Sequence, residues 1–302
     1  MKILKLTTLP IAPHFYGGNK EHRFILLQDL GEPHVSLVDC LTKANNQQEA
    51  TQALQRFMIC LGQLHAHSYL HTDEYLRILT TINSSAPNAS DETFTHLESV
   101  LTTLGLYTTY LGQIINTTLK KVSEQGLFTT FIHGDMCPDN TFDCLSKKTL
   151  LLIDFECGKI GNAFLDATYL RMSMPTCWCA KTLPEQIINS LELLYRQQLM
   201  EKIPAAQNDE AYHEAYVNAC AYWMLESIDM IKDVQGKDYQ WGVSLVRPRI
   251  LSRLQAFITV ANQYNKLPEL KILAEDVLQK LKVLWPDTQP LETFPAFMKK
   301  TK

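Results

Sequence analysis

The sequence predicts an α+β protein: a short strand-bearing start, a strand–loop–strand centre and a long, mainly helical remainder. Three observations carry that expectation. Apolar residues recur at three- and four-residue spacing from Gln48 to Leu70 and again through most of the chain beyond Gly161, the period of helices with one buried face. Two brief apolar runs, Phe131-Ile132 and Leu150-Leu151-Leu152-Ile153, each end abruptly at polar residues, as short buried strands do. Turn-forming residues, Gly17-Gly18-Asn19, separate two strand-like stretches near the start.

Taken in order, the first elements are strands around Pro13–Tyr16 and Arg23–Gln28, with Gly17-Gly18-Asn19 as their turn. The Gln48–Leu70 helix buries Ala50, Leu54, Phe57, Met58, Leu61, Leu64 and His65 on one side. Ser90-Asp91 marks a helix start, and the apolar pattern from Phe94 to Leu119 is interrupted by Gly105, Gly112 and paired threonines. Beyond the centre, helices are expected over Leu183–Leu199, Glu210–Ile231, Leu251–Tyr264 and Pro268–Leu284. The last opens on a proline, which the first turn of a helix tolerates.

Composition narrows the function classes. Hydrophobic residues make up 46% of the 302 and charged ones 20%, which sets aside a disordered chain. Lys+Arg 28 against Asp+Glu 32 leaves a net charge of -4, so an extended nucleic-acid surface is not expected. No apolar run approaches the roughly 18–20 residues of a membrane span. The opening MKILKLTTLPIA has the basic residue of a signal peptide, but Lys5 breaks its apolar stretch. Eight scattered cysteines fit a reducing cytoplasm, with Cys177 and Cys179 reduced and structural because no second pair stands at zinc spacing.

The chemistry concentrates in two segments. One is His133-Gly134-Asp135-Met136-Cys137-Pro138-Asp139-Asn140; the other is Leu152-Ile153-Asp154-Phe155-Glu156. Phosphoryl transfer requires an acceptor for the attacking hydroxyl's proton and hard oxygen ligands for Mg²⁺. An Asp on a loop serves the first need, since geometry outweighs a perturbed pKa. One carboxylate and one amide carbonyl, completed by phosphates and water, serve the second. Asp135, Asn140 and Asp154 are the groups in question.

H-G-D-x-x-P-x-N followed by I-D-F-E resembles the catalytic loop and metal-binding segment of the aminoglycoside phosphotransferase and choline kinase family, a branch of the protein-kinase-like fold. Phe24–Gly31 resembles the strand and hinge beside the adenine, and Leu61–Ala66 resembles the helix behind the catalytic loop. Gly161 with Leu165-Asp166-Ala167 resembles the segment after the metal Asp. The resemblance implies a mostly helical large lobe over 31–302. It also implies a truncated small β lobe with its hinge over 1–30. By it Asp135 is the base, His133 braces the loop, and Asn140, Asp154 and Glu156 form the Mg²⁺ side. Asp166 anchors the loop backbone, and main-chain groups of Gln28, Asp29 and Leu30 meet the adenine of ATP. The implied reaction moves a phosphoryl group from ATP to a hydroxyl of a small molecule, with neither nucleic acid nor membrane as partner.

The family's Gly-rich loop and phosphate-binding Lys have no counterpart before Gln28, and residues 1–9 match at best the tail of the helix that pairs with that Lys. Hence the other reading is a kinase-like scaffold with impaired turnover. His65, His67 and His71 are expected as helix packing and solvent-facing residues, not as a metal site. Trp178, Tyr222, Trp223 and Trp241 are expected in the core, not as a cage for a cation. Lys299, Lys300 and Lys302 read as a solvated tail.

Overall fold

A computed structural model describes residues 11–19, 21–43, 46–82 and 94–298, so the expectations for residues 1–9, Ser90-Asp91 and the Lys299–Lys302 tail lie outside the described residues. Strands β1 (Phe15–Asn19) and β2 (Phe24–Leu27) form an antiparallel hairpin. Gly17-Gly18-Asn19 lies inside β1, not in the turn where it was expected, with Gly18 opposite Ile25. The chain reverses one step later because Asn19 Oδ1 accepts the His22 N–H at 2.8 Å, which draws the backbone into a bend of its own.

Strand β3 (Val35–Ser36) leads into α1 (Leu37–Thr42), followed by α2 (Gln47–Tyr69) and α3 (Thr72–Ile82). Helix α2 starts where Asn46 Oδ1 accepts the Gln48 N–H at 2.9 Å. Its buried face carries Leu54, Phe57, Leu61, Leu64 and His65, and each large apolar side chain buried there contributes about 1.5–3 kcal/mol relative to exposure. The apolar pattern after Phe94 divides into α4 (Leu97–Thr103) and α5 (Thr109–Ser123). Thr108 restarts the helix by accepting the Leu111 N–H at 3.1 Å.

The centre consists of β4 (Thr129–Ile132), β5 (Thr141–Cys144), β6 (Thr149–Leu152) and β7 (Lys159–Asn162). All pairings are antiparallel and nested. Strand β5 pairs with β6 as an inner hairpin, while β4 pairs with β7 around it. The two segments that cross from the outer ladder to the inner one, 133–140 and 153–158, therefore run side by side. Strand β3 adds to the free edge of β5, and Arg56 of α2 clips the same strand through Nε–Oδ1 and Nη2–Oδ2 contacts of 2.5 and 2.7 Å with Asp143.

The remainder holds α6 (Ala163–Ala167), α7 (Glu185–Met200), α8 (Asp209–Asp229), a two-stranded pair β8 (Gln240–Trp241) and β9 (Ser244–Leu245), α9 (Val246–Tyr264) and α10 (Pro268–Leu284). Helix α2 packs along α7, α8 along α9, and α9 along α10. Helix α8 is buried on most of its circumference, from Tyr212 and Tyr216 to Trp223 and Ile228, which makes it the axis of this helical part. The architecture is thus α+β and mostly helical. No helix among the described residues is long and apolar enough to cross a membrane.

Buried tyrosines set an alkaline limit to this packing. Burial raises Tyr195, Tyr212 and Tyr216 well above their ordinary value, raises Tyr169 as well, and pushes Tyr75 up to about 12 with help from Glu74. In the unfolded chain these phenols ionise near pH ~10. Above that pH the unfolded state holds fewer protons than the folded one, so stability is complete below about pH 10 and is lost as pH rises towards about 12 and beyond. The tyrosinate absorbance that disappears in Tyr195→Phe or Tyr212→Phe, the share of one buried ring, should appear in one step with the loss of far-ultraviolet circular dichroism. That share appearing ahead of helix loss would show that the ring is not buried.

Candidate active site

The nested ladders bring the two chemical segments together. The Ile153 N–H donates to the Asn140 carbonyl at 2.9 Å, which sets the residue before Asp154 directly against Asn140. Between them the His133 ring bridges both crossings. Its Nε2 lies 2.7 Å from the Ile153 carbonyl, which only accepts, and its Nδ1 lies 3.3 Å from the Asp135 N–H, which only donates. Those partners require the neutral tautomer protonated on Nε2. The ring is fully buried and packs on Phe155 at 4.7 Å between centroids, so His133 braces the loop and does not face the cleft.

Gly134 is fixed by the same crossing. Its φ of +82° is left-handed, and a Cβ there would meet the Cys157 carbonyl oxygen at 2.6 Å. Any side chain would push the 153–158 segment away from the loop. Asp166, buried at the start of α6, holds the loop from below: Oδ2 accepts the His133 N–H at 2.7 Å and Oδ1 the Gly134 N–H at 3.0 Å. His65 of α2 adds Nε2 to Oδ2 at 3.2 Å while its Nδ1 meets the Tyr195 hydroxyl at 2.8 Å. His65 is therefore a buried brace, distinct from His67 and His71, whose rings lie 5.1 Å apart near the end of α2.

Asp135 is half-buried, and both of its carboxylate oxygens are held. Oδ2 accepts from Asn140 Nδ2 at 3.0 Å, and Oδ1 accepts from Thr176 Oγ1 at 2.6 Å. Each oxygen keeps a second lone pair for a further donor. Asn140 spends its amide nitrogen on Asp135, and its Oδ1 accepts no hydrogen bond from the described residues. Asp154 adopts a left-handed conformation, φ 62° and ψ 54°, and stands exposed, its side chain without a hydrogen-bond partner among the described residues. A non-glycine residue in that region is uncommon and concentrates at functional sites. Glu156 is exposed two residues further on.

No group of three or more His, Cys, Asp or Glu side chains among the described residues is placed to hold a metal ion. The donors expected on the metal side, the Asp154 carboxylate and the Asn140 amide oxygen, are hard oxygens. They fit a Mg²⁺ that draws the rest of its shell from phosphates and water, the usual arrangement for this ion. At the expected hinge, the Gln28 N–H is taken by the His14 carbonyl at 2.7 Å and the Leu30 carbonyl by His34 Nδ1 at 2.6 Å. The Asp29 carboxylate turns inward to the Gly31 N–H at 3.0 Å. Among the described residues the Gln28 carbonyl and the Leu30 N–H have no hydrogen-bond partner.

Two features escaped the sequence. Cys137 is joined to Cys177 in a disulfide, contrary to the expectation of reduced cysteines. The reason is spatial: the 175–178 segment lies directly over the 133–140 loop, 40 residues away in sequence. Trp178, expected in the core, is exposed and donates its indole N–H to Asp139 Oδ2 at 2.6 Å. Trp223 is buried as expected, and Trp241 lies under the Arg249 guanidinium at 4.3 Å. A cavity of about 540 Å³, with no residue of the 133–140 loop in its lining, is walled among others by Leu170, Ser173, Ile188, Leu251, Ser252 and Trp285.

No protein-family model matches the chain, and no curated protein matches it by sequence. Among solved structures it is similar to the crystal structure of choline kinase LicA from Streptococcus pneumoniae, with a TM-score of 0.46 and 15% identity over 85% of this chain and 78% of that one. A likeness of that extent assigns the chain to no family.

Proposed function

We propose that this protein is a phosphotransferase that moves the γ-phosphoryl group of ATP to a hydroxyl of a small molecule. The single observation that carries this reading is that Asn140 joins the two segments, its Nδ2 donating to Asp135 Oδ2 at 3.0 Å and its carbonyl accepting the N–H of Ile153, the residue before Asp154. The resemblance of the two segments to the aminoglycoside phosphotransferase and choline kinase catalytic motifs supports the same chemistry.

In this reading the acceptor hydroxyl donates to the free lone pair of an Asp135 oxygen. As its oxygen forms the new bond to phosphorus and the bond to ADP breaks, the hydroxyl proton passes to the Asp135 carboxylate. Asn140 and Asp154 would hold Mg²⁺, which supplies charge neutralisation at the phosphates. His133, Gly134 and Asp166 keep Asp135 in place before substrate arrives, so no reorganisation is needed during transfer. The adenine edge would meet the Gln28 carbonyl and the Leu30 N–H. Glu156, close in sequence to Asp154, is a further candidate for the metal side.

The test is calorimetric titration with ATP, with and without Mg²⁺, on the wild type and Asp154→Ala. The wild type should bind in a Mg²⁺-dependent manner, and the variant should lose at least about tenfold in affinity together with that dependence. Equal, Mg²⁺-dependent binding by both proteins would remove Asp154 from the metal site. A kinase-like scaffold would bind nucleotide yet transfer nothing to any hydroxyl acceptor, which a screen with radiolabelled ATP separates from the reading favoured here.

A further inference from the structure

We propose that Thr176 is a positioning residue for Asp135, presented by a strap, Pro175–Trp178, that two buried arginines of α9 hold from behind; the inference rests on the reading of Asp135 as the group that takes the acceptor's proton. Alternate residues of the catalytic loop meet successive residues of the strap. Asp135 accepts from Thr176 at 2.6 Å, Cys137 is bonded to Cys177, and Asp139 accepts from Trp178 at 2.6 Å. A carboxylate oxygen only accepts, so the Thr176 hydroxyl proton is committed to Asp135. The Tyr169 hydroxyl lies 3.1 Å from Thr176 Oγ1 and 3.2 Å from the Gly134 carbonyl, and since neither has a proton to give it, its single proton is shared between the two. Burial keeps the Tyr169 phenol protonated and able to serve.

What holds the strap is unusual for a surface loop. Arg249 and Arg253 are fully buried, and each donates to the strap's main chain. Arg249 Nη1 donates to the Cys177 carbonyl at 2.6 Å and Nη2 to the Trp178 carbonyl at 3.1 Å, while Nε donates to Ser244 Oγ at 2.8 Å. Arg253 Nη2 donates to the Pro175 carbonyl at 2.6 Å, and its Nη1 reaches Glu226 and Ser227, both at 3.2 Å. Gly242 permits the approach, since a Cβ at its φ of +61° would lie 2.0 Å from the Trp178 carbonyl oxygen. Burying a guanidinium costs several kcal/mol unless its donors are matched; the carbonyls of Pro175, Cys177 and Trp178 match part of them, Trp241 takes another from Arg249, and Arg253 Nε has no partner among the described residues. If the strap only covered the core, its outward side chains would need no partners. Instead, the exposed Thr176 and Trp178 both end on carboxylates of the catalytic loop.

The strap thus fixes the rotamer of Asp135 from the side opposite Asn140, leaving one lone pair on each oxygen for an incoming hydroxyl. The test compares Thr176→Val and Thr176→Ser, which sit at an exposed position and should leave the unfolding midpoint unchanged. Crystal structures of both variants read the orientation of the Asp135 carboxylate directly, without any activity. Hydrolysis of Mg-ATP, with water as acceptor, gives the second readout. The Val variant should show the carboxylate turned away from its wild-type position, with kcat lowered about tenfold or more and KM for ATP unchanged, and the Ser variant should restore both. An unmoved carboxylate in the Val variant overturns the proposal whatever the rates are. So does a Ser variant that behaves like Val. A moved carboxylate in a protein whose wild type transfers phosphate from ATP to no hydroxyl acceptor upholds the positioning contact and counts against the phosphotransferase reading instead.

Discussion

Asp135→Asn is expected to leave nucleotide binding intact and to lower phosphoryl transfer by about 10²–10⁴-fold, the range that a positioned general base contributes. The substitution keeps shape and hydrogen bonding. The introduced amide can offer its oxygen to Asn140 Nδ2 and its nitrogen to Thr176 Oγ1, a hydroxyl that accepts as readily as it donates. What it cannot do is take a proton at neutral pH. The loop itself is fastened by Asp166 and His133, neither of which depends on the Asp135 side chain. The loss therefore falls on the transfer step alone. Single-turnover transfer from radiolabelled ATP to a panel of amino alcohols, sugars and aminoglycosides measures it, with calorimetry for the binding step. Undiminished transfer by the variant would exclude Asp135 as the base.

The part of the site that could be read in the sequence is the part that is local in sequence. His133, Asp135 and Asn140 stand within one loop, and Asp154 follows a strand whose apolar run announces its end. The helices were legible for the same reason, since α2 and α10 declare themselves through periodicity within one window. Strands β5 and β7 were not. Thr141–Cys144 and Lys159–Asn162 are short and partly polar, and only their partners across the ladder make them strands. Gly17-Gly18 misled because turn chemistry belonged to Asn19, one residue later.

The strap was invisible for a different reason. Its ties to the catalytic loop span 39 to 41 residues, and no pattern marks Thr176 or Trp178 as partners of acidic residues. On α9, Arg249 and Arg253 stand four apart on a face that also buries Val246, Ile250 and Phe257. Periodicity treats arginine as solvent-facing and so started this helix at Leu251, whereas it begins at Val246. The one available signal was the pair of arginines itself at helical spacing within an apolar pattern, which in a folded chain demands buried acceptors.

Asp166→Ala is expected to destabilise the protein by about 3–5 kcal/mol, because it strands several buried donors at once. The His133 N–H, the Gly134 N–H and the His65 ring N–H all end on this one carboxylate, and His65, His133 and Asp166 are almost wholly excluded from solvent. Each buried donor left unmatched costs about 1–3 kcal/mol. The damage should not be uniform. Helices α8, α9 and α10 do not touch the carboxylate through any hydrogen bond among the described residues, whereas the loop before Asp135 loses both of its main-chain anchors. Urea unfolding followed by circular dichroism measures the global loss. Hydrogen exchange should show amides 133 and 134 released first, well ahead of those in α8. Asp166→Asn, which keeps one acceptor oxygen, should recover part of the stability but not both anchors, since its amide nitrogen would face an N–H donor. If Asp166→Ala kept the 133–134 amides protected, the loop would be anchored by something other than this carboxylate. Asp135 would then owe its position chiefly to Thr176 and Asn140.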